Sequence, residues 1–125
     1  MSESDADPCP FTPVIDLILG RWTAPILWEL RQRGPLRFTE LQRLMPSITP
    51  KVLTQRLRQL ERDGLVTRSY HAEVPPRVEY DRTALAESLT PVFDMLVTWS
   101  EGHLEEVAAA RLRYDEQTSA RTRPL

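Results

Sequence analysis

The chain has 125 residues and a formal net charge of −2 at pH 7, and 41% of its residues are hydrophobic. This length fits one domain with a packed core, and no apolar run approaches the roughly 18 residues that span a bilayer. Cys9 is the only cysteine, which excludes an intrachain disulfide. The acidic N-terminus MSESDADPC lacks the apolar segment of a signal peptide, so we expect a cytoplasmic protein.

Two short helices are predicted ahead of a small strand. The segment TPVIDLIL begins with Thr-Pro, which favours the N-cap and first position of a helix, and Gly20 ends that helix. A second helix follows Thr23 and stops at Gly34, which precedes a proline. The run PLRF that comes next is too short for more than a small strand.

A helix-turn-helix is predicted next. Thr39 and Gln42 have capping-box spacing, which predicts a helix over TELQRLM that ends before a proline. After a brief link, Thr49 caps a further helix with Pro50 at its first position, and this helix ends at Gly64.

A hairpin and a long helical region complete the chain. Two runs of β-branched and aromatic residues, Leu65–Tyr70 and Arg77–Tyr80, flank a stiff Val-Pro-Pro link, which predicts a hairpin with a long tip. Thr83 begins a helical region that reaches roughly to Arg113, in which Pro91 can introduce a kink and Gly102 a bend or a break. This order predicts a winged helix-turn-helix, a mainly α fold with a small β-hairpin and N- and C-terminal dimerisation helices.

The predicted elements divide the chain into three parts. Residues 1–11 form an acidic N-terminal arm. Residues 12–113 form the winged helix-turn-helix domain together with its terminal dimerisation helices. Residues 114–125 are expected to form a flexible tail, as chain ends commonly do.

Positive and negative charges are segregated along the chain. From Leu30 to Leu60 there are seven basic residues and one acid, so the segment carries 7 − 1 = +6. From Thr83 to Ala110 there are five acids and no Lys or Arg, which gives −5. This asymmetry favours a half that binds a polyanion joined to a half with another role, although charges on solvated helices also vary freely.

The helix after Thr49 directs its basic residues away from its apolar side. At 100° per residue, Leu53, Leu57 and Leu60 lie together. The candidate DNA-contacting residues at the start of the helix and on its other side are Thr49, Lys51, Thr54, Gln55, Arg58 and Arg62.

A helix of this width fits a DNA major groove, where Gln pairs with adenine and Arg with guanine. Because the N-terminal residues of a recognition helix reach furthest into the groove, we assign Lys51, Thr54 and Gln55 to base edges, with Arg58 next in reach. Arg62 is assigned to phosphate. The alternative is a solvated helix face that happens to be basic.

Three stretches, CPFTPVIDLILGRWTAPILWEL, RFTELQRLMPSITPKVLTQRLRQLERDGLVTRSYHAEVPPRVEYDRT and SLTPVFDMLVTW, resemble the HxlR-type winged-helix transcriptional regulators, which have a MarR-like helix-turn-helix. The resemblance covers about Cys9 to Trp99. It implies a bacterial DNA-binding regulator that binds the two half-sites of an inverted-repeat operator as a homodimer. It also implies that Lys51, Thr54, Gln55 and Arg58 match the recognition-helix positions, and that Arg77 matches the wing.

The hairpin tip offers a second DNA contact. Arg77 follows two stiff prolines, and an arginine on a rigid hairpin suits a narrow minor groove. His71 is a weaker candidate for a backbone contact. The alternative is that Arg77 pairs with Glu73 or Glu79 within the hairpin.

The terminal helices carry more apolar surface than one small domain covers, which favours a two-fold interface because two half-sites need two linked recognition helices. The alternative is that this surface closes over the core of the monomer. The candidate interface residues are Val14, Ile18, Leu89, Val92, Leu96 and Trp99.

The regulatory signal has two candidate entry points. The resemblance implies that Cys9 matches a cysteine that senses oxidants or electrophiles in several HxlR-type regulators; the alternative is an inert thiol. A small-molecule effector near Trp22, Trp28, Phe93 and Trp99 is the other route, although aromatics at helical spacing more often pack in a core.

An enzyme is not expected. His71 and His103 have no metal-ligand spacing around them, and the glycines form no phosphate loop, so neither a metal nor a cofactor is predicted. The expected partners are double-stranded DNA and a second copy of the chain, with no membrane. The rival hypothesis is a winged-helix protein-interaction module that has lost DNA binding, since a fold alone does not fix a function.

Overall fold

The computed structural model describes residues 9–18 and 20–122, which divide between Leu89 and Thr90 into two units. The first unit holds five helices and a three-stranded sheet, and the second is one long helix. The elements are α1 (Thr12–Ile18), α2 (Thr23–Arg33), β1 (Leu36–Arg37), α3 (Phe38–Leu44), α4 (Pro50–Arg62), β2 (Val66–His71), β3 (Arg77–Arg82), α5 (Ala84–Glu87) and α6 (Thr90–Thr122).

The first two helices and the small strand agree with the sequence prediction. α1 begins at Thr12, while Leu19, where the prediction ended the helix, lies outside the described residues. α2 ends at Gly34, whose φ of 80° belongs to the left-handed region that favours glycine. Its backbone N–H donates to the carbonyl of Leu30 at 2.9 Å, which satisfies one of the last carbonyls of the helix.

The predicted start of α3 is wrong by one residue. The helix begins at Phe38, with Arg37 at the N-cap position, and the backbone N–H of Arg37 donates to Glu40 Oε1 at 2.8 Å. The acid in the third helical position is therefore Glu40, because the count starts from Arg37 and not from Thr39. Gln42 has a different partner, since its side-chain amide donates to the carbonyl of Ile48.

The predicted limits of α4 are confirmed. Thr49 caps the helix by accepting a hydrogen bond from the backbone N–H of Val52 at 3.2 Å, and Pro50 occupies the first helical turn. The chain leaves the helical conformation at Gly64, which has a φ of 77°. The backbone N–H of Leu65 then donates to the carbonyl of Leu60 at 2.9 Å and leads the chain into β2.

The predicted hairpin is confirmed as the antiparallel pair β2–β3, and β1 adds to the other side of β3 in a sheet of order β1-β3-β2. Val66 lies opposite Arg82 and His71 lies opposite Arg77, so both strands extend past the predicted ends. The Val74-Pro75 peptide bond at the tip is cis. Thr83 closes the hairpin, since its hydroxyl donates to the carbonyl of Gly64 at 2.6 Å.

The core of the first unit is aliphatic and lies where α2, α3, α4 and the sheet meet. All three leucines predicted on one side of α4 are at most 1% exposed. The largest fully buried side chains among the described residues are Ile18, Ile26, Leu30, Leu41, Ile48, Leu53, Leu57, Leu60, Leu65 and Val66.

The predicted single helical region after Thr83 is two helices. α5 ends at Glu87 and α6 begins at Thr90, so Pro91 lies in the first turn of α6, where its missing N–H removes no helical hydrogen bond, and it does not kink the helix. Helical structure then continues past the predicted end at Arg113 to Thr122. Gly102 lies within this helix.

Several sequence predictions concern the ends of the chain. Residues 1–8 of the predicted arm and residues 123–125 of the predicted tail lie outside the described residues. The division of the chain into arm, domain and tail therefore stays a prediction. Within the described ranges, none of the helices combines the length and the apolar character that crossing a bilayer requires.

The burial of α4 predicts where the free energy of unfolding resides. Leu57 is 1% exposed, so we expect Leu57→Ala to lower the free energy of unfolding by about 2–5 kcal/mol through lost burial and the cavity left behind. The neighbouring exposed side chain is the control, and Arg56→Ala should change stability by less than about 0.5 kcal/mol. Urea unfolding measures both variants, and equal losses would contradict the assigned orientation of α4.

Candidate nucleic-acid interface

Helix α4 has one buried and one exposed side. Leu53, Leu57 and Leu60 are 0%, 1% and 1% exposed. Because residues three and four apart share a helix face, their burial turns the opposite side of the helix outward. The sequence-predicted residues that are exposed are Thr49, Lys51, Gln55, Arg58 and Arg62, and Thr54 is half-buried.

The turn between α3 and α4 is held from both sides. Met45 and Ile48 are 7% and 2% exposed, so the turn is anchored in the core. The backbone N–H of Ile48 donates to the carbonyl of Met45 at 3.2 Å, and the carbonyl of Ile48 accepts from the amide of Gln42. Gln42 thus fixes the start of α4, a role that its position in the sequence did not reveal.

Two threonine hydroxyls at the start of α4 already have backbone partners. The Thr49 oxygen accepts the N–H of Val52, and the Thr54 hydroxyl donates to the carbonyl of Pro50 at 2.9 Å. The Thr54 proton is therefore committed to the helix. Its oxygen lone pairs and its methyl group are what this side chain offers to a base edge.

Several arginines of the first unit form ion pairs with a carboxylate. These pairs are Arg33 with Glu29 (2.9 Å), Arg68 with Glu61 (3.7 Å), Arg77 with Glu73 (3.0 Å) and Arg82 with Glu87 (3.7 Å). By contrast, no described carboxylate lies within ion-pair distance of Lys51, Arg56, Arg58 or Arg62 on α4.

The two acids near the end of α4 are engaged away from its basic side. Glu61 pairs with Arg68 of β2, and Asp63 accepts hydrogen bonds from the Gln59 amide at 3.2 Å. Neither acid forms an ion pair with a basic residue on the exposed side of α4. This is the arrangement expected of a surface that meets phosphates.

Arg56 is a basic side chain of α4 that the sequence-based site assignment left out. It is exposed and it lies on the flank of the helix, between the leucines and the candidate contact residues. The charge count over residues 30–60 had included Arg56, because a count of charges does not depend on the direction of the side chain.

The wing carries a compact ion-pair cluster. Arg77 Nη2 lies 3.0 Å from Glu73 and Arg77 Nε lies 3.5 Å from Glu79, so the guanidinium pairs within the hairpin, as the alternative hypothesis expected. His71 Nε2 lies 3.3 Å from the other oxygen of Glu79. Neither nitrogen that faces Glu79 has hydrogen-bond geometry, so the contact of Arg77 with Glu79 is electrostatic.

The candidate dimer residues separate into exposed and buried positions. Val14, Val92, Leu96 and Trp99 are between 43% and 52% exposed. Ile18 is only 1% exposed, so its assignment to a surface is corrected: it has almost no area to offer a partner. The half-buried Leu89 lies in the link between α5 and α6.

The proposed signal residues lie in both units. Cys9 is exposed one turn ahead of α1, and its carbonyl accepts the N–H of Thr12 at 3.3 Å. The Arg21 guanidinium lies 4.8 Å above the ring of Trp22, and Trp28 is 51% exposed. On α6, Trp99 stacks on His103 with ring centroids 4.9 Å apart.

No metal site was predicted, and the described residues contain no cluster of three His, Cys, Asp or Glu that could hold an ion.

Comparison with known proteins identifies the family. The HxlR-like helix-turn-helix family model matches residues 17–108. The chain belongs to this family. YdeP of Bacillus subtilis (strain 168), an uncharacterized HTH-type transcriptional regulator, is 37% identical over 118 residues, which cover 92% of this chain and 91% of YdeP.

Two solved structures that this chain resembles are of regulators in their reduced forms. The redox regulator HypR in its reduced form has a TM-score of 0.74 and 35% identity, over 81% of this chain and 99% of HypR. The reduced form of the transcriptional regulator YodB from B. subtilis has a TM-score of 0.72 and 32% identity, over 78% of this chain and 96% of YodB.

These relatives confirm the predicted family and the winged helix-turn-helix fold, a mainly helical chain with a small antiparallel sheet. They are transcriptional regulators and not enzymes, which agrees with the sequence prediction.

Because Arg33 has a carboxylate partner and Arg58 has none among the described residues, we expect their substitution to affect DNA binding differently. Arg58→Ala should remove about 1–3 kcal/mol of discrimination between the intergenic duplex beside the gene and a random duplex, because its guanidinium is available to a base edge. Arg33→Ala is the matched control, since Arg33 already pairs with Glu29, and it should change discrimination by less than about 0.5 kcal/mol. Fluorescence anisotropy measures both; equal losses would contradict the assignment.

Proposed function

We propose that this HxlR-like chain is a DNA-binding transcriptional regulator that binds an inverted-repeat operator as a homodimer and acts at the nucleoid. The observation that carries the proposal is the exposed side of α4, where Lys51, Arg58 and Arg62 lie opposite three buried leucines with no described carboxylate in ion-pair range. Such a surface is best complemented by a polyanion of regular shape, and an α-helix fits the major groove of DNA.

The order of residues along α4 suggests their roles. Lys51, Thr54 and Gln55 belong to its N-terminal half, which enters a major groove most deeply, so we assign them to base edges. Arg58 follows one turn later and reaches a guanine edge. Arg62, near the end of the helix, lies where a phosphate contact is expected.

The cap of α4 and its flank supply contacts to the backbone. Thr49 is exposed at the N-terminus of the helix, where backbone N–H groups and the helix dipole attract a phosphate. Arg56 on the flank is a further phosphate contact. These contacts would position α4 on the duplex without reading sequence.

The wing is assigned a supporting role. Arg77 begins β3 directly after the exposed tip of the hairpin, so it is placed to enter an adjacent minor groove, with His71 beside it for a backbone contact. Entry requires Arg77 to leave the two carboxylates that hold it in the DNA-free protein.

Dimerisation is assigned to α1 and α6. Val92, Leu96 and Trp99 recur at four- and three-residue spacing on α6 and are exposed in the single chain, as is Val14 on α1. A helix of 33 residues is roughly 50 Å long, enough to offer a continuous apolar stripe to a second copy. In this proposal residues 12–113 form the regulator domain, and the rest of α6 lengthens the interface.

A protein-interaction module without DNA binding is the competing function. In such a module a row of like charges on α4 would be unfavourable, because these charges repel one another when no polyanion is bound. The lack of a described carboxylate within ion-pair distance of them therefore favours DNA.

We further propose that the state of Cys9 controls DNA binding. Cys9 is exposed just ahead of α1, one of the two helices assigned to the proposed interface. The similar protein HypR is a redox regulator, which is consistent with such a role. Linkage of two Cys9 residues, or capping by a small thiol, would move α1 at the proposed interface and change the spacing of the two recognition helices.

A titration with salt tests DNA binding. We expect the chain to bind the adjacent intergenic duplex as two copies per site, more tightly than random duplex, with an affinity that falls steeply from low to physiological salt because bound cations release counterions from DNA. Anisotropy gives the affinities and analytical ultracentrifugation gives the stoichiometry. An affinity that is insensitive to salt, or equal for both duplexes throughout, would rule out the proposed function.

Oxidation tests the role of Cys9. Diamide accepts the two electrons and two protons that a pair of Cys9 thiols loses as the S–S bond forms, so we expect treated protein to change its affinity for the intergenic duplex and to run as a linked dimer on non-reducing gels. Reductant should restore both properties.

Cys9→Ser is the control for this experiment. It should bind DNA as the untreated wild type does and ignore diamide. An equal response from both proteins, or none from either, would remove Cys9 from the mechanism and favour a small-molecule effector.

A further inference from the structure

Arg77 lies between two carboxylates, which no other arginine or lysine assigned to the proposed DNA-binding surface does among the described residues. Its Nη2 lies 3.0 Å from Glu73 Oε2, and its Nε lies 3.5 Å from Glu79 Oε2. Its side chain is 28% exposed, whereas the cations of α4 project into solvent. Arg77 is therefore already satisfied electrostatically before it meets DNA.

The hairpin itself sets the position of Glu73. The backbone N–H of Glu73 donates to the carbonyl of His71 at 2.8 Å, which turns the chain tightly at the end of β2. His71 lies directly opposite Arg77 in the strand register, so this turn brings the Glu73 carboxylate back towards the start of β3. The pairing of Glu73 with Arg77 thus follows from the shape of the tip.

Glu79 holds Arg77 in a different way. It lies two residues along β3 on the same face of the sheet, and its two oxygens are shared between Arg77 and His71. Glu79 is 26% exposed, against 50% for Glu73, and its contact with Arg77 is the longer one. Glu73 is therefore the closer partner and the one that solvent and DNA reach more easily.

We propose that Glu73 competes with DNA for Arg77 and so lowers the affinity of the wing for the duplex. The inference rests on the proposed function, because it requires the wing to meet DNA. A phosphate that approaches Nη2 meets the like charge of the Glu73 carboxylate 3.0 Å from that nitrogen, so close contact with the duplex requires the two to separate. Each binding event then includes the loss of this ion pair. Glu73 therefore lowers the affinity of the wing for the duplex.

The size of the effect follows from the exposure of the pair. A partly exposed ion pair stabilises by at most about 1 kcal/mol, so its loss on binding lowers affinity by up to about fivefold. Glu73→Gln keeps the shape of the side chain and removes its charge. We expect this variant to bind the intergenic duplex about two- to fivefold more tightly than wild type, with an unchanged melting temperature within a few degrees.

A double-mutant cycle separates competition for Arg77 from a general charge effect. Anisotropy at one salt concentration compares wild type, Glu73→Gln, Arg77→Ala and the double variant on the intergenic duplex. If Glu73 acts through Arg77, Glu73→Gln tightens binding in the wild-type background and changes it by less than about 1.5-fold in the Arg77→Ala background. Glu87→Gln, which removes an acid that pairs with Arg82, should leave affinity within about 1.5-fold.

The outcomes of this cycle are distinguishable. An equal gain from Glu73→Gln in both backgrounds means that Glu73 acts by repelling phosphate and overturns the inference, as does the absence of any gain. Both leave the proposed function standing, since wild type still binds the duplex. If none of the four proteins binds DNA, the proposed function fails and the inference fails with it.

Discussion

The burial of three leucines on α4 is the constraint on which the functional surface depends. With Leu53, Leu57 and Leu60 in the core, the rotation of the helix about its axis is fixed, because removing them from the core would expose their apolar surface to water. Every polar side chain of the helix then has a set direction. The cap at Thr49 and the anchored Ile48 fix the position of the helix along its axis.

Electrostatics separates α4 from the parts of the first unit whose arginines are held in ion pairs. Arg33, Arg68 and Arg82 pair with neighbouring acids, which makes them part of the folded structure. On α4 the cations lack described carboxylate partners, so the field of this surface is available to an incoming polyanion. The wing lies between these cases, since Arg77 is paired but close to the tip. The slightly negative net charge of the chain thus conceals a local positive surface.

Local sequence signals predicted the parts of the fold that depend on nearby residues. The N-terminal limit of α4 follows from its threonine cap, and its buried side follows from the helical spacing of its leucines. The hairpin follows from two runs of β-branched and aromatic residues. The sequence did not predict which residue caps α3, since Arg37 is not a typical cap, nor the break between α5 and α6. It also placed Ile18 at a surface, because periodicity shows which residues are apolar and not what they pack against. The hydrogen bond from Gln42 to the carbonyl of Ile48 could not be predicted from the sequence, because it depends on how the turn between α3 and α4 folds.

The central claim is that the exposed side of α4 reads bases in the major groove. Methylation interference on the bound intergenic duplex tests it directly, because dimethyl sulfate modifies guanine N7 in the major groove and adenine N3 in the minor groove. The account predicts that N7 methylation of guanines in two half-sites, about one helical turn apart, blocks binding by the wild-type chain. Binding that tolerates N7 methylation at every guanine of the footprint, with interference confined to adenine N3, would contradict it.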